Sequence, residues 1–310
     1  MTAIAKKAPK TVMNNRGIPI KQTRRDRVFN IVNIIIMLIL CFLFLYPMLY
    51  VLTRSVMSDA DRVAHPLSFF PHSIDWAGYK YVFQPNSSIF ATYWTTIKRT
   101  LIGTFCNLVM TSLLAYVLAK RKYPLRTALT FMLAFTMWFD AGLIPTFLLN
   151  QSYGLLNNFW VFILPTLISP WNCIILRNFI MELPAELEES AKLDGANEGQ
   201  ILVLIVLPLC KASLATVGLF YAVGHWNSWF DSMLYMNKRS GWCLQYVLRQ
   251  IVASANMSDL MAEASDATVN PPTEMVRMAA TVAATVPILC VYPFLQKYFV
   301  KGVLVGSVKG

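Results

Sequence analysis

Residues 28–52 form an apolar run without a single charged side chain, centred on Ile31-Val-Asn-Ile-Ile-Ile-Met-Leu-Ile-Leu. A helix crosses a hydrocarbon core of about 30 Å in about 20 residues, so a run of this length reads as a membrane span. Five more runs follow, at about 100–118, 125–149, 159–180, 207–236 and 278–300. Apolar residues make up 56% of the chain and charged residues 14%, against about 45–50% and about 25% in an ordinary soluble domain. Two soluble domains of this length could not bury that surplus. The first run is too long for the apolar region of a signal peptide and no A-x-A-like cleavage site follows it, so it is expected to be a retained helix. The expected fold class is therefore an all-α membrane protein with six transmembrane helices.

Charge sets the orientation. The net charge is +11, which in a soluble protein would suggest nucleic acid. Here eight basic residues, Lys6, Lys7, Lys10, Arg16, Lys21, Arg24, Arg25 and Arg27, precede the first span and only Asp26 opposes them. That block is a cytoplasmic anchor under the positive-inside rule, and no nucleic-acid partner is implied. The turn between spans two and three, Lys120-Arg-Lys-Tyr-Pro-Leu-Arg126, then falls inside. The turn between spans three and four, Asn150 to Asn158, carries no charge and falls outside. Both termini are expected in the cytoplasm.

The resulting layout is a basic arm at 1–27, a six-helix domain at 28–300 and a tail at 301–310. A cytoplasmic loop occupies 182–208, and longer external loops occupy 54–97 and 237–275. The second external loop contains a candidate interfacial helix, Trp242 to Val252, and then a polar stretch from Ser265 to Thr273. The six cysteines form no C-x-x-C pair and mostly sit in apolar runs, so they read as small buried hydrophobes.

The loop between spans four and five breaks the charge pattern. It faces the cytoplasm yet holds Glu182, Glu186, Glu188, Glu189, Asp194 and Glu198, with Lys192 the one basic residue among them. Membrane sorting does not call for acid there; a partner surface does. Pro184 suits the first turn of a helix, and the glutamates after it sit where the helix dipole favours anions. Asp194-Gly195 reads as a break, because glycine tolerates the left-handed conformation that ends helices. Asn197 and Gln200 have capping-box spacing for a second helix, which Pro208 separates from the next span. The loop is expected to be a short helix-turn-helix against the membrane face.

Glu189-x-Ala191-x-x-Asp194-Gly195-Ala196, eight residues, then Ile205-x-Leu207-Pro208 resembles the EAA motif of ABC importer permeases, with Ser190 replacing the second alanine. The resemblance implies a type I ABC importer permease fold. It also implies a coupling helix that docks into a groove of a separate ATP-hydrolysing subunit. Carried over, Glu189 and Asp194 supply polar contacts or hold the loop's shape, Ala191 and Ala196 permit close approach, and Gly195 makes the turn. Phe69-Phe70-Pro71 with Trp76-x-x-Tyr79-x-x-Val82-Phe83 looks like the first external loop of sugar-importing permeases. The ending Lys301-Gly-Val-Leu-Val-Gly306-Ser-Val-Lys309-Gly310 looks like a maltose-type tail that reaches into the ATPase dimer, which would make Gly302, Gly306 and Lys309 contact residues. Leu244 to Arg249 and Tyr292 to Gly302 are similar to Lpl-type and aldouronate-type oligosaccharide permeases.

Polar groups inside spans are the candidates for the substrate path. Span three carries Trp138 and Asp140, span four Asn172, and span five His225, Trp226, Asn227, Trp229 and Asp231. Aromatic faces cover the C–H side of a pyranose while Asn and Asp bind its hydroxyls. Tryptophans and Asp231 at helix ends could equally be interfacial anchors. Trp226 and Asn227 form the W-N element that related sugar permeases carry here; His225 reads first as a packing residue.

No catalytic set competes. The chain has no G-x-x-x-x-G-K-[ST], H-E-x-x-H or G-x-S-x-G, and His65, His72 and His225 have no metal-ligand spacing among themselves. The expectation is a non-enzyme that binds no metal or cofactor itself, with ATP and Mg²⁺ on the partner. Its partners would be a second permease subunit, a paralogue in a heterodimer, together with two ATPase subunits, an extracytoplasmic solute-binding protein, lipid and an oligosaccharide. The alternatives are a permease for an amino acid or polyamine, an ion-coupled secondary transporter, and a membrane-embedded enzyme built on Asp140, His225 and Asp231.

Overall fold

The computed structural model describes residues 23–66, 68–84, 89–262 and 274–307. Among them every regular element is helical, apart from one isolated antiparallel bridge between Met57 and Ile74. Most of the basic arm, the polar stretch at 265–273 and Lys309 lie outside the described residues.

Helix α1 (Arg24–Arg54) opens on a reciprocal cap. The Asp26 N–H donates to Thr23 Oγ1 at 3.3 Å and the Thr23 N–H donates to Asp26 Oδ2 at 2.9 Å, so two free donors are satisfied at once. The most apolar stretch of α1 buries none of its residues, and the chain divides into two units at Thr53–Arg54. A stretch this long and apolar suits hydrocarbon as its surrounding.

Two short helices follow, α2 (Asp59–Ala64) and α3 (Ala77–Val82). Helix α4 (Ile89–Ala119) is the centre of the second unit. Its buried stripe reads Thr92, Thr96, Arg99, Gly103, Asn107, Thr111, Ala115 and Leu118, every third or fourth residue. Leu101, Phe105, Val109 and Leu113 point away and are exposed. Polar and small residues inside with large apolar ones outside invert a soluble amphipathic helix; hydrocarbon as solvent requires that arrangement. Gly103 belongs to the stripe because a Cβ there would stand 2.5 Å from His225 Nε2.

The remaining helices are α5 (Arg126–Trp138), α6 (Leu143–Ser152), α7 (Pro170–Met181), α8 (Ala185–Leu193), α9 (Glu198–Ile201), α10 (Leu207–Leu209), α11 (Lys211–Asn227), α12 (Phe230–Tyr235), α13 (Leu244–Ala262) and α14 (Glu274–Ser307). Two tight 3-10 turns (Phe159–Phe162 and Leu164–Thr166) precede α7, and a π turn (Leu202–Val206) joins α9 to α10. Helix α4 packs mainly against α11 and α7. The C-terminal carbonyl of Leu118 accepts from Arg126 Nε at 3.0 Å and Arg177 Nε at 3.1 Å, so two cations close the negative end of the α4 dipole.

Three apolar stretches, within α1, α4 and α14, are long enough to cross a membrane as single helices. The runs expected as spans three, four and five are each broken. Between α5 and α6 the chain turns by 119°, where Phe139 is extended and Gly142 has a φ of 86°. The fourth run bends by 52° before Pro170, because a residue preceding proline is driven out of the helical region and Ser169 is extended at ψ 120°. The fifth bends by 85° at Cys210, two residues after Pro208 has removed a donor from the helix. That run also ends early, since α11 stops at Asn227 and Ser228 is extended. Each bent pair taken as one span brings the total to six. The second run likewise starts earlier than its apolar core indicates, at Ile89 rather than near Thr100.

Candidate functional site

The acidic loop folds as a helix, a turn and a second helix. Helix α8 ends in a Schellman motif: the Ala196 N–H donates to the Ala191 carbonyl at 2.9 Å and the Gly195 N–H to the Lys192 carbonyl at 3.1 Å. Gly195 has a φ of 83°, where any side chain is strained. On the far side the Gln200 N–H donates to Asn197 Oδ1 and the Asn197 N–H to Gln200 Oε1, both at 2.9 Å, which completes the capping box.

The loop has a rooted side and an open side. Ala191, Ile201, Leu202 and Val206 are buried in one cluster with Leu118 of α4, Leu176 of α7 and Val217 of α11. Glu189 and Asp194 are exposed, Ala196 is half-buried, and Leu193 at the tip is 90% exposed. A cluster of charges ties the rooted side to the basic turn after α4. Lys120 pairs with Glu188, and reaches Glu198 Oε2 at 3.1 Å. Lys192 Nζ lies 2.7 Å from Glu198 Oε1, and the Tyr116 hydroxyl donates to Glu198 Oε2 at 2.5 Å. The Lys192 ammonium, followed by the Tyr116 hydroxyl, holds the Glu198 carboxyl down at about 2. Its contribution to the folded loop is complete above the ordinary carboxylate range and is lost as pH falls from there toward 2. A cleft of about 800 Å³ lies between loop and turn, lined by Tyr123, Ile180, Pro184, Glu188 and Glu189 among others. The acidic loop and the basic turn therefore share one face of the molecule.

The other sequence candidates fall at two places. Trp138, 84% exposed, ends α5, and Asp140 lies in the adjoining break, where Oδ1 accepts from the Gly142 N–H at 3.3 Å. The second place is the end of α11 and the start of α12. Trp226 is buried among Ala279, Ala280, Ala283 and Ala284 of α14, with Nε1 donating to the Ala284 carbonyl at 3.3 Å. Asn227 is exposed. Trp229 is half-buried beneath the Arg249 guanidinium, 3.9 Å from its ring centroid. Asp231 accepts from Arg99 and, at 3.1 Å, from the Ser228 hydroxyl. Asn172 is buried on α7. Gly302 and Gly306 fall in the last turns of α14.

Several participants escaped the sequence reading. Arg99 is fully buried, stacked on Phe162 and 3.4 Å from His225 Nδ1 through its Nε. His225 Nε2 lies 2.7 Å from Asn107 Oδ1, and Asn107 Nδ2 donates to the carbonyls of Thr166 and Leu167 at 2.7 and 2.9 Å. Those carbonyls are freed by the bend before α7, so the histidine belongs to a network that satisfies a broken helix. The packing role first assigned to it agrees with this placement. In the segment between α1 and α3 Asp61, His65 and His72 converge, although the three histidines alone have no such spacing.

Comparison with known proteins places these features. Residues 20–305 match the family described as binding-protein-dependent transport system inner membrane component. Protein LplC of Bacillus subtilis (strain 168) is 43% identical over 290 residues, 93% of this chain and 97% of that protein. The polygalacturonan/rhamnogalacturonan transport system permease protein YtcP of the same strain is 40% identical, covering 92% of this chain and all of that one. A chain of a bacterial ABC transporter involved in the import of the acidic polysaccharide alginate superposes with a TM-score of 0.80 at 33% identity, over 90% of this chain and 99% of its own. The chain belongs to the binding-protein-dependent transport system inner membrane component family, the permease subunits of ABC importers.

Proposed function

We propose that this chain is a permease subunit of an oligosaccharide ABC importer in the bacterial inner membrane. It forms half of the translocation pathway and leaves ATP hydrolysis, with its Mg²⁺, to separate ATPase subunits. The observation that carries this reading is the acidic helix-turn-helix, rooted in the core by Ala191 and Ile201 and presenting exposed Leu193, Glu189 and Asp194. An apolar tip ringed by charge is what a docking partner covers. Because the same cluster holds α4, α7 and α11, a push on the loop reaches three pathway helices through packed side chains rather than a flexible linker.

The finer parts of the reading are six spans, with termini, basic turn and acidic loop in the cytoplasm. A paralogous permease completes a heterodimer, two ATPase subunits dock below, and a solute-binding protein delivers substrate from outside. A cysteine placed at Gln151 should therefore react with an impermeant thiol reagent from outside in intact cells, and one at Lys122 should not; the opposite labelling pattern would invert the orientation.

The saccharide is acidic on this reading. One relative is named for polygalacturonan and rhamnogalacturonan, and the solved importer for alginate. In this chain Arg249 lies over the Trp229 ring, and no described carboxylate forms an ion pair with it. The pair offers a stacking face for a pyranose ring beside a planar cation for its carboxylate. Asn227, exposed at the end of α11, lies two residues before Trp229 in the chain. Arg249→Gln should lower ATP-driven uptake of an oligogalacturonide by roughly five-fold, about 1 kcal/mol, in the reconstituted complex. Uptake of a neutral oligosaccharide should change far less. Equal losses for both would make Arg249 a packing residue, and uptake without ATP or binding protein would refute the importer reading itself.

A further inference from the structure

We propose that Asp61, His65 and His72 form a divalent metal site, with zinc as the fitting ion, in the segment between α1 and α3. The oxygen and nitrogen atoms these three residues offer all lie within 4.8 Å of one another. Asp61 and His65 are four residues apart, so the helical turn of α2, continued by the His65 N–H donating to the Asp61 carbonyl at 2.8 Å, sets them on one side. His72 returns from the opposite leg of the segment.

The carboxylate is oriented before any ion arrives. Asp61 Oδ2 accepts from the backbone N–H groups of His72 at 2.7 Å and Ser73 at 3.2 Å. Its other oxygen, Oδ1, lies 3.2 Å from His72 Nδ1. Two zinc ligands, each about 2.0–2.1 Å from the ion at a tetrahedral angle, stand about 3.3 Å apart, so this separation already suits a shared ion. The Asp61–His72 contact involves one imidazole only. The His65 ring is 4.3 Å from the His72 ring, centroid to centroid, so both rings stand beside the one carboxylate. Two nitrogens and one oxygen are a common zinc donor set. Asp61 is buried while both histidines are exposed, which leaves the outer side for water as a fourth ligand.

The surroundings give the ion something to brace. The Ser58 and Ser73 hydroxyls lie 2.9 Å apart, and Met57 bridges to Ile74. Next to Asp61, Arg62 Nη1 is 3.4 Å from Glu274 of α14. A bound zinc would lock the two legs of the segment and fix its face toward α14. This inference stands independently of the transport reading.

The test uses the full-length purified chain, stripped with a chelator and titrated with Zn²⁺ by calorimetry, and with Co²⁺ as the spectroscopic probe. Wild type should bind one zinc, and cobalt should show a tetrahedral nitrogen/oxygen spectrum. His65→Ala leaves the Asp61 backbone bonds in place and should weaken zinc binding by at least about ten-fold, as should His72→Ala. Added zinc should also slow amide exchange at 58–73 in wild type and not in His65→Ala. No binding to wild type at micromolar free zinc would overturn the proposal, as would equal affinity in all three proteins. Thiolate charge-transfer bands with cobalt would place the metal on cysteine and overturn it too.

Discussion

Gly195→Pro should abolish substrate-stimulated ATP hydrolysis by the assembled transporter while the chain still inserts in the membrane. Gly195 stands at a φ of 83°, and proline is held near −65°. Proline also removes the N–H that reaches the Lys192 carbonyl. The Schellman turn cannot form, so the exposed tip at Leu193 and Asp194 loses its placement relative to buried Ala191. A loss of at least about ten-fold in stimulated turnover is expected, since catalysis by the ATPase falls steeply when a positioned group is displaced. Gly195→Ala keeps the N–H and meets only the left-handed strain, about 1–2 kcal/mol, and should retain partial coupling. Asp194→Lys leaves the turn intact but reverses the charge at the tip, and should uncouple with the loop still folded. ATPase assays on proteoliposomes with binding protein and substrate check all three. Normal stimulation in Gly195→Pro and Asp194→Lys would remove the loop from the coupling pathway.

Asp231→Ala should strongly destabilise the folded chain. It leaves Arg99, 2% exposed, without its carboxylate. Removing one member of a buried ion pair is expected to cost about 3–5 kcal/mol, and the 25% exposure of Asp231 places this one toward the lower end. Thermal unfolding in detergent should show a large drop. The double variant Arg99→Met/Asp231→Leu should recover much of it, because an apolar pair needs no compensation for lost hydration. If Asp231→Ala unfolds like wild type but fails in uptake, Asp231 acts on the substrate rather than on Arg99.

These two sites differ in how much of them a linear reading can reach. The acidic loop was legible almost residue by residue, because caps and turns are local. Pro184, Asp194-Gly195 and Asn197…Gln200 each act within four positions, and the Schellman turn and capping box stand where those residues put them. What remained hidden was the direction of the loop's faces. Ala191 turns inward and Leu193 outward because α4, α7 and α11 arrive from distant parts of the chain to meet it.

The candidate path was less legible. Asp140, Trp226 and Asp231 all read as polar groups in spans, yet Asp140 sits in a break, Trp226 in a wall of α14 alanines and Asp231 on Arg99. The breaks themselves had signals in Gly142, Pro170 and Pro208. A hydropathy window averages over such residues, since a bent apolar pair and a straight apolar helix have the same composition.

The sequence by itself determined that this chain is a membrane protein, where its apolar runs lie along the chain, and which loop is acidic. Those properties follow from local transfer energies and local backbone preferences. Only the tertiary structure decided that Arg99 is buried against Asp231, that His225 serves the broken helix before α7, and that Asp61, His65 and His72 meet. The physical reason is that a polar group in an apolar surrounding must find a partner. Helix packing, not spacing along the chain, determines which partner is within reach.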